Sequence, residues 1–318
     1  MLCCVGRIAG ILVYLDKFHQ KTWPNRITES WGLSIIKFIH RTLFQGNIPC
    51  IDGVAEMSQD EFFDVIFEFS NEERFKMMKA LTTERTSFSG LSRSLGITTQ
   101  EVSRHFNRLV ESGLATRDSD GYPCLTSYGL MMLRQLGDIM FTTLNREYFE
   151  SHDASFLPDK FLGRMGDLSG MSYTDDIMVA IHNCLRIIQE AEEYVLDINL
   201  PYISSGFPYI KAAYDRGVKG WFLRGEDLMV PPEMQNVRQQ TIPPEFMANV
   251  RREGLLQDRL LEVDVILYMN EKEVALLSFP SSSGKYDYRG FTSTDPGALD
   301  WCRDLFYYYW EKGVKVDQ

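Results

Sequence analysis

The clearest hydrophobic period in the chain lies in "TTQEVSRHFNRLVESG", residues 98–113. Val102, Phe106, Leu109 and Val110 recur at the spacing of one helix face, which predicts a helix held to its domain by this stripe. Gln100, Arg104, Asn107 and Arg108 fall roughly opposite, Ser103 flanks them, and His105 sits at the margin of the stripe. Thr98 and Glu101 form a T-x-x-E capping box at the start, and Gly113 suits the left-handed position past the end. Upstream, Ser70-Asn71-Glu72-Glu73 reads as an S-x-x-E box opening a helix through Leu81 that buries Phe75, Met78 and Leu81 or their neighbours. A short helix is expected over Ser89 to Leu95, with Gly96 supplying a turn. After Gly113 the period switches: "LATRDSDGYPCLTSYG" is two extended pieces around Asp120-Gly121, a hairpin signal.

A long helical pattern runs from Ser127 to Glu150, with Leu130, Leu133, Met140 and Leu144 apolar, and 151–172 reads as a loop. Beyond it the chain alternates. Helices are expected over 174–193, 206–217 and 295–313, strands over 194–200 and 218–225, and a hairpin over 263–280. Alternation of this kind predicts an α/β domain. The fold class is therefore α+β overall, with a first domain at 57–128, a linker or dimerisation helix at 129–150 and an α/β domain at 151–318. Residues 1–56 show aromatics without a clean period, and Met57 opens a sequence that looks like a natural start. The expectation is that 1–56 do not belong to the native protein. The alternative is a short peripheral helix.

Composition changes the picture in one respect. The chain of 318 residues, with 44% hydrophobic and 24% charged side chains, is ordinary for a globular protein. Its net charge of −11 argues against a nucleic-acid binder, yet residues 71–117 carry 8 basic and 5 acidic side chains. Salt screens charges more than about 10 Å apart, so a local basic patch acts despite an acidic remainder. The six cysteines and five histidines are scattered, with no CxxC or HExxH spacing, so neither a metal site nor a cofactor is expected. "IAGILVYL" (8–15) is too short to span a bilayer, and a reducing cytoplasm fits the cysteines.

Two helices joined by a short glycine turn, followed by a hairpin, predict a winged helix-turn-helix whose second helix enters the DNA major groove. Arg suits guanine edges, and Gln and Asn suit adenine, which makes Gln100, Arg104, Asn107 and Arg108 the candidate base readers. Ser103 joins them, Thr98, Thr99 and Ser92 suit phosphates, and Arg117 anchors the wing. The bland alternative is a solvated polar face.

"SFSGLSRSLGITTQEVSRHFNRLVESGLATRDSDGYPCLTSYG" resembles the winged-helix domain of archaeal one-component regulators. "DVILYMNEKEVALLSFPSSSGKYDYRGFTSTDPGALDWCRDLFYYYW" resembles the end of the sensor domain in archaeal regulators of the methanogenesis-regulator family. The first motif is shared by many families and the second is distinctive; together they cover roughly residues 60–312. The resemblance implies a sequence-specific transcriptional regulator that binds double-stranded DNA as a homodimer; it says little about the small-molecule effector. The rival readings are a protein-interaction scaffold that has lost DNA and a phospholipase-D-type phosphodiesterase.

"AEEYVLDINLPY…YIKAAYDRGVKGWFLRGED" also resembles half of a phospholipase-D-type unit. Enzymes of that type need HxKxxxxD. His19-Gln20-Lys21 alone has the first spacing, and Arg26 stands where Asp is required. A non-catalytic ligand pocket is the remaining expectation. Loops at the carboxyl ends of strands are its natural place, which points to Asn199, Tyr202, Arg224 and Glu226, with Lys285 nearby.

Overall fold

The computed structural model describes residues 59–201, 203–225 and 232–316. The chain divides into two units between Cys124 and Leu125.

The first unit runs α1 (Gln59–Ser70), α2 (Glu72–Thr83), α3 (Phe88–Leu95), α4 (Thr99–Glu111), β1 (Ala115–Arg117) and β2 (Pro123–Leu125). The cap of α2 differs from expectation: Asn71, not Ser70, accepts from the Arg74 N–H, while the Ser70 hydroxyl donates to the Phe67 carbonyl. Asn reaches the third amide of the turn as well as Ser does, and it stands one residue nearer. The buried members of α2 are Arg74, Met77 and Met78, and Phe75 and Leu81 are only half-buried. Helix α4 opens on the expected capping box. The Thr98 Oγ1 accepts from the Glu101 N–H at 3.2 Å, and the Thr98 N–H donates to Glu101 Oε2 at 2.9 Å. It closes on Gly113 at φ +71, with the Leu114 N–H reaching the Leu109 carbonyl and the Gly113 N–H the Val110 carbonyl. This paired closure needs a left-handed residue, which glycine adopts without a Cβ penalty. It also explains a correction: Val110 is 43% exposed, and Leu114, folded back past the glycine, completes the stripe of Val102, Phe106 and Leu109. Around it pack Met77, Met78 and Leu91, all fully buried.

The second unit starts with α5 (Ser127–Leu144) and α6 (Arg146–Ser151). The single long helix expected to Glu150 is therefore two, parted at Asn145, whose amide side chain donates to the Phe141 carbonyl. Phe141 is the buried hydrophobic residue of α5, while Leu130 and Leu144 are exposed. The segment 151–172 is not a plain loop. It holds α7 (Asp159–Leu162) and a 3₁₀ turn (Met165–Gly170), and it buries Leu157, Phe161, Met165 and Leu168.

There follow β3 (Ser172–Thr174), α8 (Ile177–Glu190), β4 (Tyr194–Ile198), α9 (Phe207–Asp215), β5 (Lys219–Arg224), α10 (Pro232–Thr241), α11 (Pro244–Arg252), β6 (Leu256–Leu260), β7 (Ile266–Asn270), β8 (Val274–Ser278), β9 (Gly290–Ser293), α12 (Pro296–Trp310) and β10 (Val314–Lys315). The strands form one sheet in the order β10-β6-β5-β4-β7-β8-β9-β3. β4, β5 and β6 are parallel, and the other pairings are antiparallel. Helices cover both faces. Phe141 of α5, Phe161 of α7 and Trp301, Leu305 and Phe306 of α12 pack with Leu196, Leu267 and Leu277 on one face. Ala180, Cys184, Ile187 and Ile188 of α8 pack with Val195, Ile266 and Tyr268 on the other. With both faces covered, β7 and β8 are buried at every position, as an enclosed sheet requires.

Candidate nucleic-acid interface

Helix α4 presents Thr99, Gln100, Arg104 and Asn107 to solvent, with Ser103 half-buried beside them. Among the described residues, Arg104 makes no ion pair, so its guanidinium is available to a partner. Arg108 behaves differently. Its Nη2 lies 2.7 Å from Glu68 Oε1, a carboxylate 1% exposed, and the same carboxylate takes Arg74 Nε at 2.7 Å through its other oxygen. Arg74 also donates to the carbonyls of Phe67 and Glu68. One buried carboxylate of α1 thus holds an arginine of α2 and an arginine of α4. A buried ion is tolerated when paired and hydrogen-bonded, and here the arrangement fixes the roll of α4 relative to α1. Arg108, expected as a base reader, is half exposed and pairs with this carboxylate. Nothing in the sequence reading assigned Glu68 a role, because its partners lie 6 and 40 positions away.

Three further candidates have partners within the unit. The Ser92 hydroxyl donates to the Ile97 carbonyl at 2.6 Å, and the Thr98 hydroxyl to Glu101 Oε2 at 2.8 Å. Both bonds stiffen the turn between α3 and α4. Arg117 donates to the Gly121 carbonyl at 3.0 Å and lies over the rings of Phe88 (4.6 Å) and Phe106 (5.4 Å). It pins the hairpin to the helices through cation–π contact. At the tip, Asp118 accepts from the amides of Asp120 and Tyr122, and Arg85 pairs with both Asp118 and Asp120. His105 is half-buried. Burial, then the neighbouring Arg104 and Arg74, hold its pKa below the usual histidine range.

In the second unit, Tyr202 and Glu226 lie outside the described residues. Asn199 is buried at φ +54. Its amide donates to the Val263 and Val265 carbonyls and accepts from the Gly225 N–H at 3.1 Å. It ties the ends of three strands together. Arg224 lies 4.0 Å from Asp197 and over the Phe222 ring, and Lys285 is exposed on the loop after β8. Asp197, buried within β4, has its pKa pushed up to about 7 by burial, partly offset by Arg224 and by the Leu200 N–H. Sequence reading also passed over His152. Its ring stacks on Tyr148 at 3.9 Å, and its Nε2 lies 3.2 Å from both oxygens of Asp287. Ser151 sits against its Nδ1 at 2.9 Å, yet that hydroxyl also donates to the Tyr148 carbonyl, so it caps a helix end. Among the described residues no cluster of side chains suits a metal ion, and no helix is long and apolar enough to cross a membrane.

Residues 71–117 match the family model of the bacterial regulatory protein, arsR family. This segment runs from the cap of α2 to the end of β1 and contains the helix-turn-helix and the first strand of the hairpin. No curated protein matches the chain. Among solved structures the chain is similar to TrmBL2, an archaeal chromatin protein whose structure shows a novel mode of DNA binding. The identity is 16% and the TM-score 0.37, over 81% of this chain and 100% of that one. It is also similar to Nuc from Salmonella typhimurium, a phospholipase D family member, at 11% identity and a TM-score of 0.32, and to NucT from Helicobacter pylori at 12% and 0.33. Each covers 46% of this chain and 97% of the other. Scores at this level do not define a shared architecture, and function rests on the matched segment and its geometry.

Proposed function

We propose that this chain is a sequence-specific transcriptional regulator that binds double-stranded DNA through α4, with Gln100, Arg104 and Asn107 as base readers and Thr99 and Ser103 beside them. The observation that carries the reading is the match of residues 71–117 to a regulatory-protein family, joined to a helix whose outer polar groups are unspent while its inner ones are locked. Arg108 and Arg117 serve as anchors of that helix and its wing. The second unit is the sensor of a small-molecule effector, as the resemblance of its last strands and helix to archaeal regulators implies. The reading assigns this unit a binding role and no catalytic residue. The working form is a homodimer in the cytoplasm, which the exposed Phe62, Phe63 and Phe67 of α1 and Met131 and Leu144 of α5 support.

The test is a mobility-shift titration of the full chain on fragments of its own upstream region. Arg104→Ala is expected to weaken specific binding by about 1–3 kcal/mol if the guanidinium takes a guanine edge. If it takes a phosphate, sequence preference survives and only the salt slope falls. Unchanged binding at every salt concentration removes α4 from the interface. No shift with any fragment at low salt favours a protein-interaction scaffold.

A further inference from the structure

We infer that the second unit holds a binding site for a small, uncharged, mainly apolar molecule, in the cleft between α8 and the segment that follows β4. The inference rests on the sensing half of the proposed function and names its site and ligand class. The cleft has a volume of about 330 Å³. Its walls are Ala180, Ile181 and Cys184 of α8, Leu200 and Ile203 after β4, and Tyr288 from the loop after β8. Ile177, at the first turn of α8, also lines it and is still 40% exposed, which opens the cleft to solvent.

The position follows from the topology. β4 pairs in parallel with β5 and antiparallel with β7, so the parallel part of the sheet ends at β4. Ligands of open α/β sheets lie outside the carboxyl ends of parallel strands, and the segment leaving that end of β4 forms one wall of the cleft. The segment leaving β4 turns at Asn199, whose left-handed backbone and three hydrogen bonds set the course of Leu200. The opposite wall is set as firmly. Tyr288 is also left-handed, at φ +60, and its neighbour Asp287 faces His152. Bulky residues in that region are strained and persist where the surroundings hold them. Both walls are thus built before any ligand arrives.

The chemistry of the lining selects the ligand. None of the described residues lining the cleft is charged. An ion buried there would lose its water without a counter-charge, so carboxylates, phosphates and ammonium groups are disfavoured. Arg224 and Lys285, which favour an anionic effector, do not line it. The Tyr288 hydroxyl makes no hydrogen bond among the described residues, and the Ser204 side chain borders the same space. One hydroxyl or carbonyl on the ligand has partners there. At interior packing density the volume takes on the order of a dozen non-hydrogen atoms. The class is a neutral alkyl or aromatic compound with one such polar group.

The test uses the full chain with 1-octanol and octanoate as probes, by titration calorimetry and thermal unfolding. Octanol is expected to bind saturably at one site per chain and to raise Tm by about 2–4 °C. Octanoate is expected to bind at least about tenfold more weakly, since its charge has no partner. Ile177→Trp, at an exposed position in the lining, fills the cleft and should abolish the octanol response. Should circular dichroism show that this variant does not fold, Ile181→Trp takes its place. Tyr288→Phe should weaken octanol by roughly three- to tenfold. The site is overturned if octanol shows no saturable binding up to its solubility, if octanoate binds equally well, or if filling the cleft changes nothing. A chain that binds octanol but no DNA keeps the site and overturns the regulator; a chain that binds DNA but not octanol does the reverse.

Discussion

The two units treat their polar side chains in opposite ways. In the first, the inner polar groups of the helix-turn-helix are consumed by structure while Gln100, Arg104 and Asn107 remain outward. In the second, the conspicuous polar residues at strand ends are consumed: Asn199 binds three backbone groups and Asp197 is buried. The neighbouring cleft is apolar. The polar residues left unpaired thus lie on a helix face in the first unit, whereas those at the ends of enclosed strands in the second are bound by the chain itself.

The strongest way to break this comparison is Glu68→Gln. It leaves two arginines without their shared carboxylate, and removal of one partner of a buried pair costs about 3–5 kcal/mol. Urea unfolding should show a loss at or below the low end of that range, since Arg108 is half exposed to solvent. A loss under about 1 kcal/mol would mean that the network is a surface pair.

Next in size is a pH effect in the second unit. The Asp197 pKa is raised from 3.8 to about 7, so the folded chain holds a proton that the unfolded chain releases. Stability is fully present below about pH 4 and falls as pH rises toward 7, by roughly 3 kcal/mol. Asp197→Asn should flatten that fall, which melts at pH 4.5 and 8 would reveal.

Asn199→Ala should cost about 2–3 kcal/mol, through unmet partners and a left-handed backbone. Chemical denaturation reads it, and a neutral result would free Asn199 for a ligand. Arg104→Ala should leave stability within about 0.5 kcal/mol while weakening DNA binding, the mirror image of Asn199.

The smallest effect is His105. Its pKa is lowered, so the unfolded chain takes up the proton first; stability is present above the ordinary value near 6.5 and declines as pH falls below it. His105→Gln should remove that slope, opposite in sign to the Asp197 slope.

The helix-turn-helix was largely legible because its signals are local. A capping box, a glycine closure and a 3.6-residue period each span a few positions, and α4 begins and ends within a residue of expectation. Val110 was misplaced because the glycine closure hands its place in the core to Leu114. The pairing of Arg108 with Glu68 was not legible, because that carboxylate lies 40 positions away. In the second unit β4, β5, β7 and β8 were legible as apolar runs. β3, β9 and β10 were not, being two to four residues long and defined by their neighbours. The cleft was invisible for the same reason, since its walls come from residues 177 to 288.

The anchor at Glu68 also bears on how the molecule can be cut. The segment that matches the regulatory family begins at residue 71, three positions beyond that carboxylate. A fragment trimmed to the matched boundary would keep Arg74 and Arg108 and discard the group that neutralises both. Its two guanidiniums would repel one another beneath the recognition helix. The boundary of a recognisable motif and the boundary of a self-sufficient folding unit are therefore different places in this chain.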